Sequence, residues 1–301
     1  MTQILGACQM GFVYGLLALG VYITFRILNT PDLTADGSFT LGMAVCATVS
    51  AAASPFVGLL AAFLCGLIAG AITGLLQTRM GIHPILAGIL TMSGLYSVNM
   101  FVMGGSPNVN LTTTLFKQAH KLIGGLDRTG KNIVTLIIAG AFALAVTAVL
   151  IWLFKTHIGL CIRATGNNAE MVKASSINAG QIKVLALSLA NGLVALSGAV
   201  NAQMQGFADV NGGSGMVVVG IASVIIGELF TGRRGVTVGL ISALIGSIVY
   251  RLIYALAINY TALPAYALKL VSALIVVMAL AIPAAIKNMK AQAAQRRANH
   301  A

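Results

Sequence analysis

Residues 133–154 read IVTLIIAGAFALAVTAVLIWLF, an apolar run without one charged side chain, and runs of this kind recur from end to end of the chain. A helix needs about 20 such residues to cross the hydrocarbon of a bilayer. Apolar runs near 4–25, 38–53, 57–77, 83–103, 133–154, 182–204, 216–232, 236–257 and 266–286 predict nine spans by simple count. The 38–53 run is short and reads as a half-helix or a re-entrant piece. The expected fold class is therefore all-α, a polytopic membrane bundle of about 8–10 transmembrane helices. It forms a single transmembrane domain over 1–301. The first run, MTQILGACQMGFVYGLLALGVYITF, lacks a basic leader and is too long for a signal segment, so it reads as a retained span.

Composition closes the soluble alternative. The chain is 58% hydrophobic and 8% charged, with a mean hydropathy of +0.95, whereas soluble domains carry about 25% charged residues. Small residues do the packing in lipid, where helix and solvent are equally apolar. Gly66, Gly70 and Gly74, spaced by four, form such a ridge. Cys8, Cys46, Cys65 and Cys161 are scattered, without metal spacing, and read as small packing residues.

The net charge of +12 does not point to nucleic acid, because the basic residues sit in connectors and a tail and form no face interleaved with aromatics. They set orientation instead. The tail at 287–301, the TGRRG turn at 231–235 and the 155–181 connector with Lys155, Arg163 and Lys173 fall on one side of the membrane, the cytoplasmic one, by parity of the spans. The 104–132 loop then lies outside, although Lys117, Lys121, Arg128 and Lys131 run against the rule. The basic tail is expected to contact anionic lipid. Arg251 and Lys269 read as residues near the outer ends of the last two spans that snorkel to the interface, and Glu228 as a partner of Arg233 or Arg234.

No arrangement of side chains suggests catalysis, a metal centre or a cofactor. Residues 125–132, GLDRTGKN, fit the outline of a phosphate-binding loop but place Asn132 where Ser or Thr must hold Mg²⁺, with no strand–loop–helix context. The chain is not expected to be an enzyme. Two other regions stand out. Asn29 to Ser38 interrupts an apolar region with Pro31, Asp32, Asp36 and Gly37. Such backbone is tolerated at membrane depth only where protein or a cavity surrounds it. Asp32, Asp36 and Ser38 are therefore pathway candidates, with a plain interfacial loop as the alternative. Asn191, Asn201 and Gln203 share one span. Asn191 and Asn201 lie within about 80° of each other around a helix, as pathway lining or as interhelical glue.

The second region is RATGNNAEMVKASSINAGQIK, 163–183, polar and helix-capable between two spans. Asn167 or Asn168 can cap a short helix. With Asn167 as the cap, Glu170 completes a capping box. Two turns cannot cross a membrane, so the segment is either presented to another protein or a simple connector.

These residues carry a resemblance. Arg163-Ala-Thr-Gly166-Asn-Asn168, Ser176-Ile-Asn178, the run ending in Gly227-Glu228 and Gly232-Arg-Arg-Gly235 resemble permease subunits of ABC importers, in the branch that serves branched-chain amino acids and simple sugars. Gly15-Leu-Leu-Ala-Leu-Gly20-Val and Asp36-Gly-Ser-Phe-Thr-Leu-Gly42 extend the likeness to the first half. The form NTPDLTADGSF is more similar to the subgroup linked to aromatic amino acids. The resemblance implies a cytoplasmic coupling helix that docks on an ATPase subunit, formed by Arg163, Thr165, Gly166, Asn167, Asn168, Glu170, Met171, Lys173, Ala174 and Ser175. It implies two ATPase copies, a second permease subunit as a homodimer and an extracytoplasmic solute-binding protein, in a cell membrane. The implied solute is an amino acid, with a sugar or nucleoside next. The competing class is a self-sufficient secondary transporter or channel. Such a protein would want paired broken helices and an intramembrane carboxylate, and GSFTLGM at 37–43 echoes GSGMVVVG at 213–220.

Overall fold

The computed structural model describes residues 2–123, 127–232 and 235–260, with isolated pieces at 270, 273–277 and 281. The basic tail, Lys269, Arg233, Arg234 and most of the expected 266–286 span lie outside the described residues. The rest is a helix bundle. Helix α1 (Thr2–Tyr22) runs on through a π-helical turn, Ile23–Ile27. Then come α2 (Thr34–Ala52), α3 (Pro55–Thr78) and α4 (Pro84–Val102). A short strand β1 (Asn108–Asn110) and a short helix α5 (Leu115–Ile123) precede α6 (Arg128–Lys155). Two small helices follow, α7 (His157–Asn167) and α8 (Ala169–Ala174), and then the long α9 (Ala179–Gln205). The described part closes with β2 (Phe207–Asp209), α10 (Met216–Thr231) and α11 (Val236–Tyr260).

Among the described residues six helices are long and apolar enough to cross a membrane: Gln3–Ile27, Pro55–Thr78, Pro84–Val102, Thr129–Lys155, Ala179–Gln205 and Val236–Ile258. Helices α2 and α10 stand beside them. The 38–53 run is not a fragment, because α2 starts at Thr34, where the Asp32 carboxylate accepts a hydrogen bond from the Thr34 amide at 2.9 Å. The short helix is α10, with 16 residues. It is reached through a non-helical stretch, Gly206 to Gly215, that lies against α2. Gly213 is pressed onto the Asp36 carbonyl and Gly212 onto Met43.

Helix α9 is the axis of the fold. Its apolar window is 78% buried, against 28% for α4, so α9 is wrapped by neighbours while α4 keeps an open face. Small residues allow the wrapping. The α3 ridge lies on it, Gly66 against the Asn191 carbonyl, Gly70 against that of Leu187 and Gly74 against Val184. On α2, Gly42 meets the Ala195 carbonyl, while Gly198 of α9 meets that of Phe39. Any Cβ at these sites would collide with backbone, so the helices touch through their main chains, as packing in lipid favours. A second layer, α1 with α10 and α11, packs alongside. The Ser197 hydroxyl bonds the Val13 carbonyl at 2.8 Å across the joint.

The bundle has two unlike ends. At one, β1 pairs antiparallel with β2, Asn108 opposite Asp209, and the Leu115 amide donates to Gln203 Oε1 at 2.9 Å. The expected 104–132 loop thus contains a strand and a helix pinned to α9. At the other end, Arg26 pairs with Glu228, and Asn29 Nδ2 donates to the Gly166 carbonyl at 3.2 Å. Here Arg26, Arg163, Asn167, Glu228, Gly232 and Gly235 meet.

Candidate functional site

The polar stretch between α6 and α9 folds into α7 and α8. Asn168 is the cap of α8. Its backbone is extended, and its Oδ1 accepts from the Met171 amide at 3.1 Å. Glu170 therefore falls one place earlier than a capping box requires, and it pairs with Lys173 at 2.8 Å instead. Gly166 is packed on the Ile27 carbonyl, Thr165 is buried and its hydroxyl bonds the Cys161 carbonyl at 2.8 Å. Val172 is 2% exposed and anchors α8. Everything else points away from the bundle: Arg163, Asn167, Asn168, Glu170, Met171, Lys173, Ala174 and Ser175 are exposed. Ser176, at φ +60, turns the chain, and Asn178 Oδ1 caps α9 by accepting from the Gln181 amide at 3.1 Å. The result is a corner that presents Met171 of α8, with Ile158 and Leu160 of α7, among polar side chains. Beside it Glu228, Arg26 and Arg163 line a cavity of about 260 Å³.

The candidates in the interior divide into two groups. Asp32 is 3% exposed, and its Oδ2 accepts from Asn191 Nδ2 at 2.7 Å. Asn191 Oδ1 accepts from the Ser38 hydroxyl at 2.7 Å, and the Thr34 and Thr73 hydroxyls bond at 2.9 Å beside them. This network ties α2, α3 and α9 together. Gln203 is equally engaged, donating to Ser50 at 3.0 Å and to the Pro55 carbonyl at 3.2 Å. Asn201 is buried, and its Oδ1 has no partner among the described residues.

Asp36 belongs to the second group. Its two oxygens accept from the Gly215 amide at 2.8 Å and the Val217 amide at 2.7 Å, so a carboxylate of α2 caps the N-terminus of α10. The positive end of a helix favours an anion there. The same joint brings GSFTLGM and GSGMVVVG, the two similar stretches, face to face, with the Gly213 amide on Thr40 Oγ1 at 3.0 Å. Asp36 and Thr40 also line a cavity of about 420 Å³ with Tyr96, Asn99, Asn211 and Ser214. Asn99 is 1% exposed, donates to the Gly37 carbonyl at 3.3 Å, and has an Oδ1 without a partner among the described residues. Asn99 and Tyr96 escaped the sequence reading. A lone amide in an apolar span was the only signal available.

A bundle of apolar helices with a polar corner at one end and a polar cavity at a broken joint is the anatomy of a transport subunit. A family model described as "Branched-chain amino acid transport system / permease component" matches residues 3–280. The chain belongs to this family. It is thus a permease component of an ABC transport system for a small solute, and a multi-pass protein of the inner membrane. The permease is 37% identical over 286 residues to the "Tyrosine transport system permease protein" of Clostridioides difficile, which covers 93% of this chain and 91% of that one. It is 28% identical over 243 residues to the "Autoinducer 2 import system permease protein LsrC" of Yersinia pestis, covering 80% and 65% respectively. Among solved structures, "PsaBC from Streptococcus pneumoniae in complex with Fab" is similar with a TM-score of 0.49 at 17% identity, over 92% of this chain and 89% of that one.

Proposed function

We propose that this permease carries an amino acid, aromatic or branched-chain, through the membrane as the transmembrane subunit of an importer. Two copies pair with two ATPase subunits, which supply the energy that this chain does not. The observation that carries the reading is the exposed α7–α8 corner. Its amide caps and the buried Val172 fix its shape, while its polar face and Met171 remain unused by the fold. In this reading α8 seats in a groove of the ATPase on the cytoplasmic side. Nucleotide-driven closure of the ATPases moves the corner. The movement reaches the interior through Gly166, packed on Ile27, and through the Arg26–Glu228 pair at the foot of α10. The other end of α10 is held by Asp36, which lines the 420 Å³ cavity. A solute-binding protein delivers the solute at the strand-bearing end. The 37% identical tyrosine permease supports an amino acid over a sugar.

Affinity purification from the native membrane tests the partner. An ATPase that co-purifies with the wild type and is lost with Glu170→Arg supports the coupling role. A chain that purifies alone and transports without ATP in liposomes overturns it. Uptake of L-tyrosine, L-leucine and D-ribose by the purified complex then separates the solute classes.

A further inference from the structure

The Arg251 side chain turns along α11 toward the ring of Tyr14. Contacts of Gly11 with Ile248 and of Gly15 with Leu244 set the antiparallel register of α1 and α11, and place Arg251 about level with Cys8. A helical side chain leans toward the N-terminus of its helix, which here is the deeper direction. The Arg251 guanidinium accordingly lies 4.0 Å from the ring centre of Tyr14 and 5.4 Å from that of Tyr254. These rings stabilise the cation but do not neutralise it.

The chain has six acidic residues, all of them described. Asp32 is bound to Asn191, Asp36 caps α10, Asp209 takes the Asn211 amide, and Glu170 and Glu228 pair with Lys173 and Arg26. Asp127 sits at the start of α6, and no ion pair among the described residues involves Arg251. Its Nε is buried without a partner among the described residues. So is the hydroxyl of the adjacent Tyr250, a residue 2% exposed. Both residues line one cavity of about 380 Å³, walled by Tyr14, Tyr254 and Val219 and floored by Ser214 and Gly215 of the α10 entry. That volume lies within the range of small-molecule sites. A cation and a hydroxyl donor without acceptors, beside aromatic and apolar walls, define the missing group. It is an anion with two oxygens, attached to an apolar or aromatic body.

We propose that this cavity is a carboxylate subsite of the transport pathway, in which Arg251 and Tyr250 hold the carboxylate of the amino acid and the tyrosine rings flank its side chain. The subsite rests on the amino-acid reading above. Ser214 lines both this cavity and the one at Asp36, so the two sites adjoin across the α10 entry.

The test is uptake of radiolabelled L-tyrosine by the complete complex, with its ATPase and binding protein, in liposomes with and without phosphatidylglycerol. L-tyrosinamide, which lacks the carboxylate, serves as the competitor. Arg251→Gln should raise KM about tenfold and erase the discrimination against the amide. Arg251→Lys should recover part of both. Tyr250→Phe should raise KM about threefold. The binding protein is the same in every arm, so a change in discrimination belongs to the permease. Wild-type KM and discrimination in Arg251→Gln overturn the subsite. Where that variant fails to insert, wild-type values in both Arg251→Lys and Tyr250→Phe overturn it. An effect that follows phosphatidylglycerol content and not the solute carboxylate assigns the cavity to lipid and also overturns it. Uptake of L-tyrosine with no response to these variants leaves the amino-acid reading standing and the subsite refuted. A wild-type complex that moves D-ribose and no amino acid refutes both.

Discussion

The α7–α8 corner and the Asp32–Asn191–Ser38 network hold similar side chains and treat them in opposite ways. In the network each polar group is consumed by another helix: carboxylate by amide, amide by hydroxyl, with α2, α3 and α9 joined as a result. In the corner the fold uses Gly159, Cys161, Ile162, Thr165, Gly166, Asn168, Val172 and Asn178, and leaves Glu170, Met171 and Lys173 facing out. Burial makes the difference. A polar group inside a membrane bundle costs free energy until it is paired, so this network commits its polar residues to structure. At the bundle's end the group can stay hydrated at little cost and is free for a partner.

Substitutions can sharpen that contrast. The largest effect belongs to the packing beneath the network. Gly70→Leu forces α3 off the Leu187 carbonyl, and it should cost about 3 kcal/mol or more and leave little folded protein in detergent gel filtration. Asn191→Ala strips Asp32 and Ser38 of their partner. Thermal unfolding should show a loss of about 1–3 kcal/mol, and a variant of unchanged stability with altered uptake would mark Asn191 as pathway lining instead. Asn168→Ala removes the α8 cap at about 1 kcal/mol. The expected readout is weaker ATPase association with an unchanged melting temperature for the bundle. The smallest stability effect is expected where the functional effect is greatest. Glu170→Arg breaks only an exposed pair, worth about 0–1 kcal/mol. The melting curve should match the wild type while ATP-driven uptake is lost. If Glu170→Arg unfolds the protein, the corner is structural and the contrast fails.

Much of the architecture was legible in the chain. The small-residue ridge Gly66–Gly70–Gly74 reads as a packing face and meets α9 at each of its positions. The 163–178 stretch reads as a short capped helix between spans, although the choice between Asn167 and Asn168 and the pairing of Glu170 needed the backbone itself. The half-helix was placed wrongly. The 38–53 run is part of a 19-residue helix, and the short one is α10. Apolar periodicity cannot show that Asp32 starts α2 early. Nor can it show that Gly206 to Gly215 lies along α2. Arg26, 202 residues away in the chain, pairs with Glu228, a partner that sequence proximity could not offer, while the expected partners Arg233 and Arg234 lie outside the described residues.

Composition and run length alone determined that the chain crosses a membrane repeatedly as helices, because that outcome follows from local hydrophobicity and the backbone's need to bond itself. They also determined where polar residues had to be exceptional. Only the tertiary structure decided what each exception does. Asp36 became the cap of α10, Asn191 the tie between α2 and α9, and Arg251 a cation over Tyr14 without an ion-pair partner among the described residues. Those assignments depend on which helices touch and at what register. That is settled by the close approach of backbones at a few glycines, a property of pairs of segments that no single segment contains.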